Sequence, residues 1–425
     1  MRPIRIALLL VSAIVLVVLQ LPTVLAQSSG SSELSPEARN YLNSALDIIQ
    51  KNSVKRETNW AEFRRLTVEK AGSAKTPADT YPAIRDALKR LGDHHSGLFT
   101  PEELKAFGEG KNSGDPGLLV KEGVIVAIYP NGSASRAPVH LKDRVLEING
   151  KPLVNDDYFQ MMDAAQKQNP KAVELTLKSG NDEPRKVSLV FAEYDFNLPI
   201  TGRMVAGNVG LIELPAFGSS LTDPKKAEEM MIRYAEQVQT LIRQFDQNSL
   251  IGWIVDLRLN GGGNMWPMLA GIGPILGEGE IGGFVGASET EKWAYKNGQS
   301  IEGGNVITKV PAPYVLKNSN LPVAVLTDNF TASSGEAVVV AFRGRNKTEF
   351  LGMPTRGLPT ANDQFNLSDG AMLNLTVSID ADRTGKTYDS KIPPDIQVKT
   401  DWSLYGTDKD TAVEAAVKWI RSQSR

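Results

Sequence analysis

The chain has 425 residues, enough for two or three domains with substantial cores. Its 47 lysines and arginines face 49 aspartates and glutamates, a formal charge of −2, which gives no reason to expect nucleic acid as a partner. There is no cysteine, so disulfides and a lipid carried on an N-terminal cysteine are both excluded.

The first residues carry Arg2 and Arg5, residues 6–19 are almost purely apolar, and Val24-Leu25-Ala26 offers small residues at a cleavage point. Basic, then apolar, then small is the layout of a signal peptide ending near residue 26. The apolar run is short for a membrane span, and an uncleaved anchor reaching Leu25 is the alternative. Export without disulfides fits a bacterial envelope protein, periplasmic or extracellular, touching a membrane only if that segment is retained.

A polar, serine-rich linker follows at 27–35. Residues 36–50 read as a helix, with Tyr41, Leu42, Ala45, Leu46 and Ile49 at helical spacing. A second helix spans 77–91, with Tyr81, Ile84, Leu88 and Leu91 on its apolar face and Gly92 as its stop. Next comes "DHHSGLF", then "TPEEL", where Thr100 can cap, Pro101 suits the first helical position and Glu103 completes a capping box. Residues 114–193 alternate short apolar runs with Gly, Pro and Asn turns and predict a small β-rich domain with strands at 118–120, 124–129, 145–148, 173–177 and 187–191. From 207 onward strands and helices alternate: a strand at 209–214, a helix at 225–245, a strand at 251–257, a Gly-rich loop, a less clear stretch, a strand at 323–327 and a helix after Ser334. That alternation implies an α/β domain.

Three stretches carry chemistry. In "NFTASSGEAVVVAFRG", Ser333 and Ser334 sit between a strand and a helix, where a serine is either a helix cap or an exposed nucleophile backed by free N–H groups, and Glu336 lies in the first helical turn. In "IGWIVDLRLNGGGN" a buried strand runs into Gly261, Gly262 and Gly263, a flexible turn or a loop whose N–H groups can approach a ligand closely. The phosphate-binding glycine spacings are absent, so nucleotide binding is weakly supported. Only three histidines exist, His94, His95 and His140, so a serine that needs an imidazole has few choices. The His94-His95 pair could instead bind metal, but no cysteine or acidic cluster supports it. Asp380 and Asp382 briefly resemble a calcium loop whose twelfth position, Lys391, is wrong. No metal and no cofactor is expected.

Together these pieces resemble the tail-specific, or carboxy-terminal-processing, proteases and their relatives in the tricorn core. The resemblance covers about residues 77–398. "GDHHSGLFTPEEL" is similar to the family's Asp-x-His-Ser stretch, "VIVAIYPNGSASRAPVHLKDRVLEINGKPL" to the second half of a PDZ domain, "DLRLNGGG" to its glycine loop, "TASSGEA" to its nucleophile turn, and "LSDGAMLNLTVS" and "IPPDIQV" to its closing signatures. Several ordered motifs in one chain are far more specific than any one alone. The resemblance implies an α/β catalytic domain of the crotonase/ClpP-like kind, a sandwich of strands and helices, with an inserted PDZ domain and an N-terminal helical segment. The implied boundaries are 1–26, 27–110, 111–195 and 196–425.

The same resemblance implies that Ser333 is the nucleophile, that Ser334 and Gly262 or Gly263 supply the oxyanion donors, and that Asp256 and Arg258 hold the glycine loop. One departure matters. The processing branch places its lysine base in Gly-x-Pro-Thr-x-Gly-Lys, whereas "GMPTRGLPT" has Leu358 there, and leucine cannot accept a proton. The tricorn-like branch uses a histidine, which maps onto His95. Asp389 is the candidate to orient it. Gly117, Leu118, Leu119 and Val120 map onto the PDZ loop and strand that would engage the C-terminus of a polypeptide substrate. The implied activity is that of an exported serine-type endopeptidase, with turnover rising near the ordinary imidazole value of about 6.5. The alternative is a catalytically inactive relative that binds a peptide or small ligand.

Overall fold

A computed structural model describes residues 33–423, apart from 109–114, 155–156, 193, 196, 219–222, 248 and 288. The signal segment at 1–26 lies outside the described residues. Among those described, no helix is long and apolar enough to cross a membrane.

The chain opens with helices Pro36–Asn52, Trp60–Ala71 and Tyr81–Leu91. The first begins as its sequence dictates. The Ser35 hydroxyl accepts from the Ala38 N–H, proline occupies the first turn, and Tyr41, Leu42, Ala45, Leu46 and Ile49 are buried on one face. Gly92 stops the third helix in the left-handed region (φ 69°). The helix Trp60–Ala71 is an addition to the sequence reading; only Phe63 and Thr67 of its residues are buried, too few for a clear apolar period. The Thr100 and Glu103 capping box forms as expected, with Thr100 N–H donating to Glu103 Oε2 and Glu103 N–H to Thr100 Oγ1.

The apolar faces of these helices close against the far end of the chain. Leu42, Leu46, Ile84 and Leu88 share a core with Leu367, Leu373 and Leu375. The short strand Gly97–Phe99 pairs antiparallel with the strand Met372–Asp382, Leu98 facing Leu373. That pairing carries the histidine loop to the C-terminal half of the molecule.

Residues 118–190 form their own antiparallel sheet. The strands run in the order Leu118–Lys121, Val124–Ile128, Arg144–Ile148, Ala172–Lys178, Arg185–Val190, and the helix Tyr158–Gln168 covers the core. Each strand expected there is present.

The remainder is built on two sheets. One has the order Ile396–Gln397, Thr348–Gly352, Val323–Thr327, Gly252–Asp256, Val209–Glu213, Thr201–Val205; neighbours pair in parallel except at the Thr201–Val205 edge. The other is antiparallel and has Met372–Asp382 among its central strands. Between them lie the helices Met265–Leu276 and Ser334–Phe342, every residue of both buried. The less clear stretch of the sequence resolves into Met265–Leu276 and the strands Gly279–Gly286, Thr290–Lys296, Gln299–Glu302 and Asn305–Lys309. A helix buried on all sides has no apolar period to read. The parallel strands Gly252–Asp256 and Val323–Thr327 end side by side, which sets the glycine loop next to the serine turn, at the carboxyl edge where open α/β sheets hold their ligands.

Candidate active site

The serine turn is tied down at both ends. Asp328 N–H donates to Thr331 Oγ1, the Thr331 hydroxyl donates to Leu257 O at 2.8 Å, and Ala332 N–H donates to Asn260 O. Ser333 then adopts φ 51° and ψ −120° immediately before the helix Ser334–Phe342. This is a costly backbone for a residue with a Cβ, held only where its surroundings over-determine it. It is also the sharp strand-to-helix turn that exposes a nucleophile. Gly262 explains how the turn fits: a Cβ there would lie 2.9 Å from Ser333 Cβ, and its own φ is 111°.

Glu336 fixes the turn from below. Its buried carboxylate accepts from the N–H groups of Ser333 (2.9 Å), Leu358 (2.8 Å) and Gly357 (2.8 Å) and from the Thr355 hydroxyl (2.5 Å). Burial pushes its acid upward, and the four donors pull against that shift. Glu336 thus staples the nucleophile turn to the "PTRGL" loop, where Leu358 stands in the lysine position. From the sequence alone Glu336 has only a favourable place in the first helical turn.

The expected oxyanion donors separate. The Gly262 N–H is already committed to Asn260 Oδ1 at 3.0 Å, which removes it as a donor. Among the described residues the N–H groups of Gly263 and Ser334 have no acceptor in the protein. The two are adjacent, because the Ser334 hydroxyl donates to Gly263 O. Asn260 also donates to Leu214 O, so one side chain shapes the whole glycine loop. Arg258, 1 % exposed, forms ion pairs with Asp256 (2.6 Å) and Asp410 (2.9 Å) beneath it.

His95 enters from the loop before the strand Gly97–Phe99. Asp93 organises that loop, accepting from the His95 and Ser96 N–H groups and the Ser96 hydroxyl. Asn362 donates to His95 O. The imidazole Nδ1 lies 2.8 Å from Thr360 Oγ1, and Thr360, Ser333 and Ser334 line one cavity of about 320 Å³. His95 and Ser333 do not hydrogen-bond each other; such contacts often tighten only with substrate. Burial holds the imidazole down at about 4, against the weaker opposite pull of Asp93. His94 and His140 stay at the surface, His140 against Arg185 in the 118–190 sheet.

Asp389 is not brought to His95. It is exposed beyond the two-residue strand Thr387–Tyr388, and the Nδ1 position it was expected to fill belongs to Thr360. Thr360 closes the stretch "GMPTRGLPT" and opens the strand Thr360–Asn366, and nothing in that motif gives its hydroxyl a role.

Leu118–Lys121 is an edge strand of its sheet, with Leu118, Leu119 and Val120 buried. The Gly117 and Leu118 N–H groups expected to meet a ligand are occupied by Asp115 Oδ1, at 2.5 and 3.1 Å. Burial raises the Asp115 acid to about 6. The strand's last residue, Lys121, reaches the serine turn itself, 2.8 Å from Asp328 and 2.6 Å from Asn329 Oδ1.

Residues 208–398 match the profile of Peptidase family S41. A nisin-resistance protein of Lactococcus lactis subsp. lactis is 32% identical over 220 residues, 52% of this chain and 62% of the relative. Carboxyl-terminal-processing peptidase 2, chloroplastic, of Arabidopsis thaliana is 25% identical over 361 residues, 79% of this chain and 64% of the relative. The chain thus spans less than two thirds of either relative. Its fold is similar to that of a photosystem II D1 C-terminal processing protease, with a TM-score of 0.55 at 19% identity over 89% of this chain and 98% of the other. It is similar as well to a lipoprotein from Streptococcus agalactiae, with a TM-score of 0.54 at 19% identity over 92% and 98%. Residues 208–398 thus resemble peptidase family S41, and the chain as a whole is similar to carboxyl-terminal-processing peptidases.

Proposed function

We propose that the protein is an exported serine-type endopeptidase that cleaves polypeptides by acyl-enzyme chemistry, with Ser333 as nucleophile and His95 as base. The backbone of Ser333 carries this reading: a non-glycine residue held at φ 51°, ψ −120° on a strand-to-helix turn, with Gly262 cleared to let it in. A helix cap needs no such strain. In the proposed cycle His95 takes the hydroxyl proton as Ser333 Oγ attacks a peptide carbonyl, and the Gly263 and Ser334 N–H groups receive the oxyanion. The protonated imidazole then returns its proton to the leaving amine, and a water repeats the sequence on the ester. Thr360 is the group at Nδ1, which leaves Nε2 for the transfer. Leucine at 358 and a neutral imidazole at pH 7 both favour histidine over lysine as the base. These features ally the chain with the tricorn-like branch.

The 118–190 sheet is proposed to be a PDZ domain that takes up the C-terminal segment of the substrate along the edge strand Leu118–Lys121, with Asp115 rather than the substrate carboxylate on the Gly117 and Leu118 N–H groups. The names of the processing peptidases among the relatives suggest the same class of substrate. Labelling with a fluorophosphonate tests the nucleophile. Wild-type protein is expected to form one adduct that Ser333→Ala abolishes, and His95→Ala is expected to slow turnover by about 10³-fold or more. An adduct that persists in Ser333→Ala would remove the assignment.

A further inference from the structure

The cavity beside Ser333 contains one group that the proposed catalytic cycle does not use. Asp380 lies in the strand Met372–Asp382, is 1% exposed, and lines the same cavity as Ser333 and Ser334. Among the described residues neither Oδ1 nor Oδ2 has a hydrogen-bond partner. Other buried carboxylates are answered: Glu336 by four donors, Asp256 and Asp410 by Arg258, Asp328 by Lys121. A buried carboxyl with nothing at either oxygen is a cost to the fold unless something arrives to meet it.

The rest of the cavity describes that visitor. Its walls are apolar where Met265, Trp266, Phe284 and Val377 meet, which suits a hydrocarbon stem. Among its lining residues, Glu289, Glu291, Glu302 and Asp363 add negative charge against Lys51 and Arg56. At about 320 Å³ it sits at the small end of ligand pockets, which run about 300–1,000 Å³, and is sized for one side chain rather than a whole ligand.

We propose that Asp380 is a specificity-determining residue, the floor of a pocket that receives a basic side chain, arginine before lysine, flanking the scissile bond of the substrate. This rests on the reading of Ser333 as nucleophile. Two free carboxylate oxygens match the parallel N–H groups of a guanidinium, which a point-like ammonium matches less well. Burial and the nearby Glu336 charge hold the Asp380 acid well above the usual carboxylate range. Entry of the cation releases its proton to solvent and leaves an ion pair.

The test uses two phosphonate diphenyl esters, one with an arginine-like and one with a leucine-like side chain, together with a peptide library varied at both positions flanking the cleaved bond. The arginine-like probe is expected to label wild type at least tenfold faster, and cleavage to favour Arg over Lys over Leu on one flank. Asp380→Leu, which fills the site with an apolar side chain, is expected to erase or invert the preference while a plain fluorophosphonate still labels Ser333. Asp380→Asn should retain the fold and lose the preference. Equal labelling by the two probes, or a basic preference that survives Asp380→Leu, would overturn the proposal. A wild type that no fluorophosphonate labels would instead remove the nucleophile beneath it.

Discussion

His95 illustrates how far a single side chain departs from its reference chemistry. An unperturbed imidazole titrates at about 6.5, whereas burial brings this one down to about 4. As the proposed base it is therefore already neutral through the mildly acidic range, and kcat/KM is expected to hold its plateau down to about pH 5 and to fall by half near 4. A midpoint at 6.5 or above in a pH–rate profile would contradict this. Glu336 makes the complementary point about position. Replacing it with alanine strands three N–H groups and a hydroxyl beneath the nucleophile turn. Hydrogen bonds to a charged group are each worth about 1.5–3 kcal/mol, so Glu336→Ala is expected to lower stability by about 3 kcal/mol or more in urea unfolding. It should also slow fluorophosphonate labelling of Ser333, since the strained turn loses its clamp.

Between elements, the contact to watch is Lys121 with Asp328. It joins the edge strand of the 118–190 sheet to the turn that carries Ser333, and both side chains are nearly buried, at 8% and 5% exposure. Lys121 also lies over the rings of Trp402 and Phe330. Removing one member of a buried pair leaves the other charge uncompensated, at about 3–5 kcal/mol. Lys121→Met is expected to show that loss in denaturant unfolding, and Lys121→Met with Asp328→Asn to recover a substantial part of it. Full additivity of the two would mean that they do not interact. This contact was invisible in the sequence, because nothing local to "LLVKEG" or "LTDNF" shows that they meet. What was legible is local by nature. Apolar periods marked the helix at 36–50 and the strand at 323–327, and turn chemistry marked the Thr100 cap. The helix Met265–Leu276 had no polar face to reveal it. Ser333, the glycine loop and His95 stand out as candidates because their motifs are contiguous. Thr360, Asn260 and Asp380 have no role legible in the sequence, because their surroundings form only across the fold, and for the same reason the sequence does not show that Asp389 lies exposed and away from His95.

For the molecule as a whole, titration should pull stability in two directions within one pH window. His95 has a folded value below its unfolded one, so the unfolded chain binds the extra proton between about pH 4 and 6.5. Its contribution is complete above 6.5 and is lost as the pH falls toward 4. Asp115 is the reverse: its folded value of about 6 lies above the unfolded value of about 3.9. Its contribution is complete below 4 and is lost as the pH rises through 6. Thermal unfolding of wild type, Asp115→Asn and His95→Gln from pH 4 to 7 should therefore give difference curves of opposite slope. Parallel curves would show that one of the two groups titrates normally.

The pairing of Gly97–Phe99 with Met372–Asp382 also has a meaning in time. His95 and Thr360 touch although 265 positions separate them. Synthesis proceeds from the N-terminus at about 5–20 residues per second, so the base is made long before the strand that holds it. On the proposed chemistry, competence is expected only when the last third of the polypeptide has emerged and closed over the first.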